Sequence, residues 1–190
     1  GNLEIPSADI KMEDIVFGGI YSDGVAIVNL REEEDKSYVI DKHGRIISSF
    51  DLIEDQNSGV LQKDLRFENG WLIYGGKCYD TKGNVKDPES FGATAFVKYE
   101  QGKYFVVEKI TTTYDSSKKE LGVLDENFEW VLPLRELYYY MYNSNTAQGR
   151  ELFWKWVEDP AAYENTMYAV EYGNYILCAD GSRYSSEDLL

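Results

Sequence analysis

The sequence predicts a mainly β fold: repeated β-hairpin or meander units, arranged like a propeller or as stacked sheets, with a short helical insertion near residues 134–158. Three observations carry this. An Asp followed by a short turn recurs at Asp41, Asp80, Asp125 and Asp180. The apolar runs beside these turns are short and rich in β-branched and aromatic residues. Helical periodicity is confined to one stretch. A length of 190 residues with 43% hydrophobic content suits one domain, 1–190, of about four β units.

Each unit has an opening and a closing element. The opening is an aromatic residue, two further residues, a Gly, then an apolar run: YSDGVAIVNL (21–30), FENGWLIYGG (67–76) and, more loosely, FGATAFVKYE (91–100). The closing element is an apolar run ending in Asp, a turn and a second apolar run. Asp41 with Gly44, and Asp80 with Gly83, stand as positions i and i+3 of a β-turn. There the Asp side chain bonds the backbone two residues on, and Gly accepts positive φ. Asp180-Gly181 is a tighter version. After Asp125 the turn reads Asn127-Phe128, where Asn is the expected left-handed residue. Hairpins are thus expected near residues 43, 82, 127 and 181. A second echo, SSFDLI (48–53) and SSEDLL (185–190), predicts that the chain ends on a completed unit.

The runs 25–28 and 104–107 are apolar at successive positions, which predicts strands covered on both faces. Leu134, Leu137, Tyr138 and Met141 repeat at helical spacing. Pro133 precedes them, as suits a first turn, and Asn143 is a stop. Leu152, Phe153, Trp156 and Val157 form a second stripe, closed by Asp159-Pro160.

Composition narrows the chemistry. The 19 Lys plus Arg against 34 Asp plus Glu give a net charge of −15, which repels nucleic acid and anionic membranes. No apolar stretch approaches the roughly 18 residues of a membrane helix, and the first twenty residues do not read as a signal peptide. One His and two Cys cannot supply an ordinary zinc site. His43 lies in an expected turn, between Lys42 and Gly44. Lys82 stands where a calcium loop would need a ligand. No nucleophile elbow or phosphate loop occurs. Cys78 and Cys178 each sit two residues before a turn Asp and read as small buried residues on inner strands. Whether they pair is open. The expectation is no catalytic residue, no metal and no cofactor.

The patterns YSDGVAIV and YVIDKHGRII (38–47) resemble the unit of the WG-repeat, or KWG-repeat, proteins. Phe67, Gly70, Trp71, Asp80 and Gly83 carry the resemblance into a second copy. The naming Trp-Gly pair is missing: Ser37-Tyr38, Lys77-Cys78 and Leu121-Gly122 occupy or flank its place, and only Gly122 keeps the glycine. This resemblance implies an all-β repeat protein of bacterial type, without known catalytic residues, used for binding or scaffolding. The segment 69–85 is also similar to one unit of the choline-binding cell-wall repeats, which hold quaternary ammonium between aromatic rings.

Aromatic residues are in excess, with 4 Trp, 16 Tyr and 8 Phe. Tyr139, Tyr140 and Trp154 fall off the two helical stripes and are expected to form an exposed binding patch. The expected function is a non-enzymatic protein-interaction or scaffold module, with a carbohydrate or cell-wall binding module as the alternative. The expected partner is a protein or a neutral glycan, and the expected compartment the extracellular space or cell envelope, with the cytoplasm as alternative.

Overall fold

The computed structural model describes residues 10–31, 33–51, 65–144, 146–163, 169–172, 175–178 and 183–185. The fold is mainly β, in antiparallel meanders with a helical insertion. The chain divides into two compact units, Gly1–Asp87 and Pro88–Leu190. Each holds two of the four sheets found among the described residues, and every sheet has its strands in chain order.

In the first unit, β1 (Ile15–Gly18), β2 (Val25–Leu30), β3 (Glu33–Asp41) and β4 (Ile46–Asp51) form one meander, and β5 (Trp71–Tyr74), β6 (Lys77–Asp80) and β7 (Val85–Lys86) a second. The run 25–28 is buried throughout. Because side chains alternate along a strand, Val25 and Ile27 join Val39, Phe50, Leu65, Phe67 and Leu72 in one cluster. Ala26 and Val28 join Tyr38 and Ile40 in another. Cys78 is fully buried on the inner strand of the three-stranded sheet. The side chain of Cys178, and the turn at Asp180, lie outside the described residues.

The second unit contains β8 (Ala95–Glu100), β9 (Tyr104–Thr112), β10 (Ser117–Asp125) and β11 (Trp130–Arg135). Then come α1 (Glu136–Tyr142), α2 (Ala147–Glu158), the single turn α3 (Pro160–Tyr163) and the sheet β12 (Ala169–Tyr172), β13 (Tyr175–Cys178) and β14 (Arg183–Ser185). The helical insertion falls where expected, but its start is two residues later than the periodicity suggests. Pro133 and Leu134 belong to β11, not to a first helical turn. Proline is accommodated there because β11 is an edge strand. Thr146 caps α2, its Oγ1 accepting from the Gly149 N–H at 3.2 Å.

The closing turns repeat atom for atom. At Asp41, Oδ1 accepts from His43 N at 2.8 Å and Arg45 N at 3.0 Å. At Asp80 it accepts from Lys82 N at 2.9 Å and Asn84 N at 2.8 Å. At Asp125 it accepts from Asn127 N at 2.8 Å and Glu129 N at 3.0 Å. In all three the N–H at i+3 returns to the Asp carbonyl. That i+3 residue is left-handed: Gly44 at φ +78°, Gly83 at +87° and, in the third copy, Phe128 at +61°. The left-handed position is thus Phe128 and not Asn127, because position in the turn, not residue preference, decides it. The Phe128 ring stacks on Phe105 at 4.8 Å and Phe91 at 5.8 Å, and that packing offsets the backbone strain.

The opening turns also repeat. Asp23-Gly24 and Asn69-Gly70 have positive φ at both residues, the primed turn that two-residue hairpin loops favour. They bond each other: the Asp23 carboxylate accepts from Gly70 N at 2.7 Å, and Ser22 Oγ donates to the Phe67 carbonyl at 2.5 Å. The third copy is not at 91–100, which instead forms the end of a 3-10 turn (Pro88–Phe91) and β8. It is Gln101-Gly102, at φ +56° and +67°. There Tyr99 stands two residues before the turn, as Tyr21 and Phe67 do in the first two copies.

Gly70 and Gly83 separate backbone strain from crowding. A Cβ on Gly70 would meet nothing within 4 Å, whereas one on Gly83 would lie 2.3 Å from Ser48 Cβ. In urea unfolding, Gly70→Ala is expected to cost about 1 kcal/mol, and Gly83→Ala about 1–3 kcal/mol more. Equal costs would contradict the packing of the second closing turn on β4.

Candidate binding surface

The helical insertion is where the repeat departs from its own plan, and it covers one face of the β8–β11 sheet. Alternation along β9 and β10 turns Val106, Leu121 and Val123 to that face. They pack with Leu132 and with Leu137, Tyr138, Met141, Phe153, Trp156 and Val157 of the helices. The opposite face is closed by rings: Phe96 meets Phe105 and Phe91 edge-on at 6.0 and 5.9 Å.

Tyr139, Tyr140 and Trp154 are half-buried against the helix-side core, not exposed. Tyr139 and Tyr140 contact each other edge-on at 5.4 Å, and the Lys119 ammonium lies 5.4 Å from the Tyr139 ring centre. Trp154 stacks on Tyr104 at 6.1 Å and meets Tyr142 and Phe153 edge-on at 6.4 and 5.2 Å. The three residues therefore join two local groupings, one around β10 and one around β9. Burial raises the Tyr142 hydroxyl pKa, and the charge of Glu100 and a hydrogen bond to it raise it further. Burial also raises Tyr138, against the opposing influence of Arg135.

A cleft of about 390 Å³ opens beside these helices. Val131, Leu132, Pro133 and Arg135 of β11 line it with Tyr138, Trp156, Pro160 and Ala161. Its volume falls at the lower end of ligand sites, ~300–1,000 Å³. Among the described residues, Arg135 is the one charged residue of the lining. Its guanidinium carbon lies 5.8 Å from the Tyr138 ring centre, within cation–π range.

Elsewhere, His43 is exposed in its turn. Burial pushes the Cys78 thiol up to about 12, with the Asp80 charge adding to it, so this thiol is a poor nucleophile near neutral pH. Among the described residues, no group of three His, Cys, Asp or Glu could hold a metal ion. Among them too, no helix is long and apolar enough to cross a membrane. The well-exposed aromatic rings among them are Tyr21, Tyr114, Trp130 and Tyr184. Sequence patterns do not single these out as a surface. Tyr114 lies between β9 and β10, a place its polar neighbours indicate, but Trp130 sits in an apolar strand that reads as core. Arg135 carries no signal of its own, since it stands inside the segment whose helical stripe dominates the pattern.

No protein-family model matches the chain, and neither a curated protein nor a solved structure matches it.

Trp154 gives the test of this layer. Its stacked and edge contacts predict that Trp154→Ala lowers stability by about 2 kcal/mol in urea unfolding. A loss below about 0.5 kcal/mol would show that the ring is surface and restore the patch expected from helical spacing.

Proposed function

We propose that this chain is a non-enzymatic protein-interaction module, a divergent relative of the WG-repeat proteins whose helical insertion supplies the binding surface. The observation that carries the reading is the 390 Å³ cleft between β11 and the helices. Repeating turns build the rest of the scaffold from backbone hydrogen bonds. The insertion adds a concave surface whose described lining combines apolar side chains with the Arg135 cation. Specific surfaces concentrate where a rigid scaffold is interrupted.

A second reading, a carbohydrate-binding module, has an observation of its own. The Trp130 ring lies over Gly122, where a Cβ would come within 2.6 Å of it, and is 41% exposed. A flat, exposed indole suits the apolar face of a neutral sugar.

A photo-crosslinking amino acid at Ala161, on the rim of the cleft, tests the first reading against one at Lys42, an exposed turn residue of the other unit. Covalent protein adducts are expected from position 161 and not from 42. Equal labelling at both sites, or none at 161, would contradict the reading. Quenching of Trp fluorescence by cell-wall polysaccharide, abolished in Trp130→Ala, would favour the second.

A further inference from the structure

Strands β9 and β10 run on past their neighbours, and the far end of this pair is a surface separate from the cleft. We infer that it binds a second copy of this chain, with two β9 strands pairing antiparallel about Thr112.

Hydrogen bonds define the open edge. β9 and β10 pair without a register shift from Tyr104↔Asp125 to Thr112↔Ser117, so along this stretch backbone groups alternate between β10 and the outer edge. Bonds at both ends set which residues face which way. The Thr94 N–H donates to the Glu108 carbonyl at 2.8 Å, and the Ile110 N–H donates to Thr94 Oγ1 at 2.7 Å. Glu108 and Ile110 therefore face outward, towards the start of β8. At the tip, the Thr113 N–H donates to the Ser116 carbonyl at 2.7 Å, so Thr113 faces inward and Thr112 outward. β8 begins at Ala95, opposite Glu108, and Thr94 covers the Ile110 N–H. The Ile110 carbonyl and both backbone groups of Thr112 lie beyond that cover. Residues 110–118 are all exposed.

The order of residues along this edge says what fits it. Lys109-Ile110-Thr111-Thr112-Thr113-Tyr114-Asp115 is complementary to itself in reverse. Antiparallel pairing about Thr112 sets that residue against its own counterpart, Thr111 against Thr113, Ile110 against Tyr114 and Lys109 against Asp115. These are Thr–Thr, aromatic with β-branched, and cation with anion, each a favourable cross-strand pair. Two-fold symmetry makes every unlike pair twice. Ile110 is 39% exposed and Tyr114 102%, so both gain cover. Among the described residues, neither Lys109 nor Asp115 is held in an ion pair.

The other edge of the ribbon discourages pairing. By the same register, Ser117 and Lys119 face outward there, and Lys118 stands between them. Lysine blunts exposed strand edges. A second β10 laid antiparallel about Lys118 would oppose like charges. Association therefore closes at two chains instead of extending from edge to edge.

The test is analytical ultracentrifugation of the full chain at 0.15 M salt, from about 10 μM to about 1 mM, the range of small and transient contacts. At that salt the repulsion between two chains of −15 is screened beyond about 8 Å. A monomer–dimer equilibrium is expected. Thr112→Pro removes an outward N–H, leaves the inward bonds of Thr111 and Thr113, and should abolish the dimer. Lys109→Glu and Asp115→Lys each turn two attractive pairs into two repulsive ones, and each should weaken the dimer roughly tenfold. The double reversal should restore it, which decides the matter even if proline distorts the ribbon. A chain that stays monomeric at the highest concentration, a dimer unaffected by Thr112→Pro, or a double reversal no stronger than the single ones would overturn the inference.

Discussion

One carboxylate oxygen accepting two backbone N–H groups closes each of the three fully described Asp turns, and the sheets are organised around it. The turn reverses the chain within four residues and presents the last strand of each meander in register with the strand before it. It does so with a side chain that supplies its own acceptor, so the two N–H groups that no strand partner reaches are satisfied locally. Burial alone would raise the Asp41 and Asp80 carboxyl groups. The N–H donors outweigh it, joined by the Arg45 guanidinium at Asp41 and by the Asn84 side-chain amide at Asp80, and both stay below the usual carboxylate range. A group whose folded pKa is lowered contributes stability above its unfolded value of 3.8 and loses that contribution as pH falls through the folded value. The turns are thus tied to the charged form of the Asp.

Given this device, the rest of the molecule follows from how each unit covers its sheet. In the first unit, β2 and β3 bury both faces, and the two opening turns are stitched together by Asp23 and Ser22. In the second, helices cover one face and a group of phenylalanines the other. Phe128 joins the two themes, since it occupies the left-handed position that Gly44 and Gly83 hold and extends its ring into the phenylalanine group. The insertion then creates what a regular meander lacks, a cleft between a strand edge and a helix, with an arginine set against a tyrosine ring.

The closing turns were legible because Asp and Gly at i and i+3 report backbone geometry directly. The burial of 25–28 was legible for a similar reason: apolar residues at successive positions leave no polar face. The third opening turn was not. Its motif, Tyr99 to Gly102, has the right spacing, but β8 precedes it and the more conspicuous Phe91-Gly92 competes. The helix start was displaced because Pro133 suits both a first helical turn and an edge strand, and only pairing with β10 distinguishes them. The candidate site was the least legible part. Helical spacing places Tyr139, Tyr140 and Trp154 off the buried stripe, yet it is silent about β9 and β10, which bring Tyr104 and Lys119 against those rings. The cleft depends on β11, α1, α2 and α3 meeting, and no local pattern encodes that.

The Asp turns underlie all of this, and an NMR titration of their amides from pH 7 to pH 2 examines them at the atoms concerned. The amide protons of His43, Arg45, Lys82 and Asn84 are predicted to shift together with their Asp, with inflections below 3.8. Inflections at or above that value, or amides that ignore the titration, would show that the carboxylates do not hold these turns.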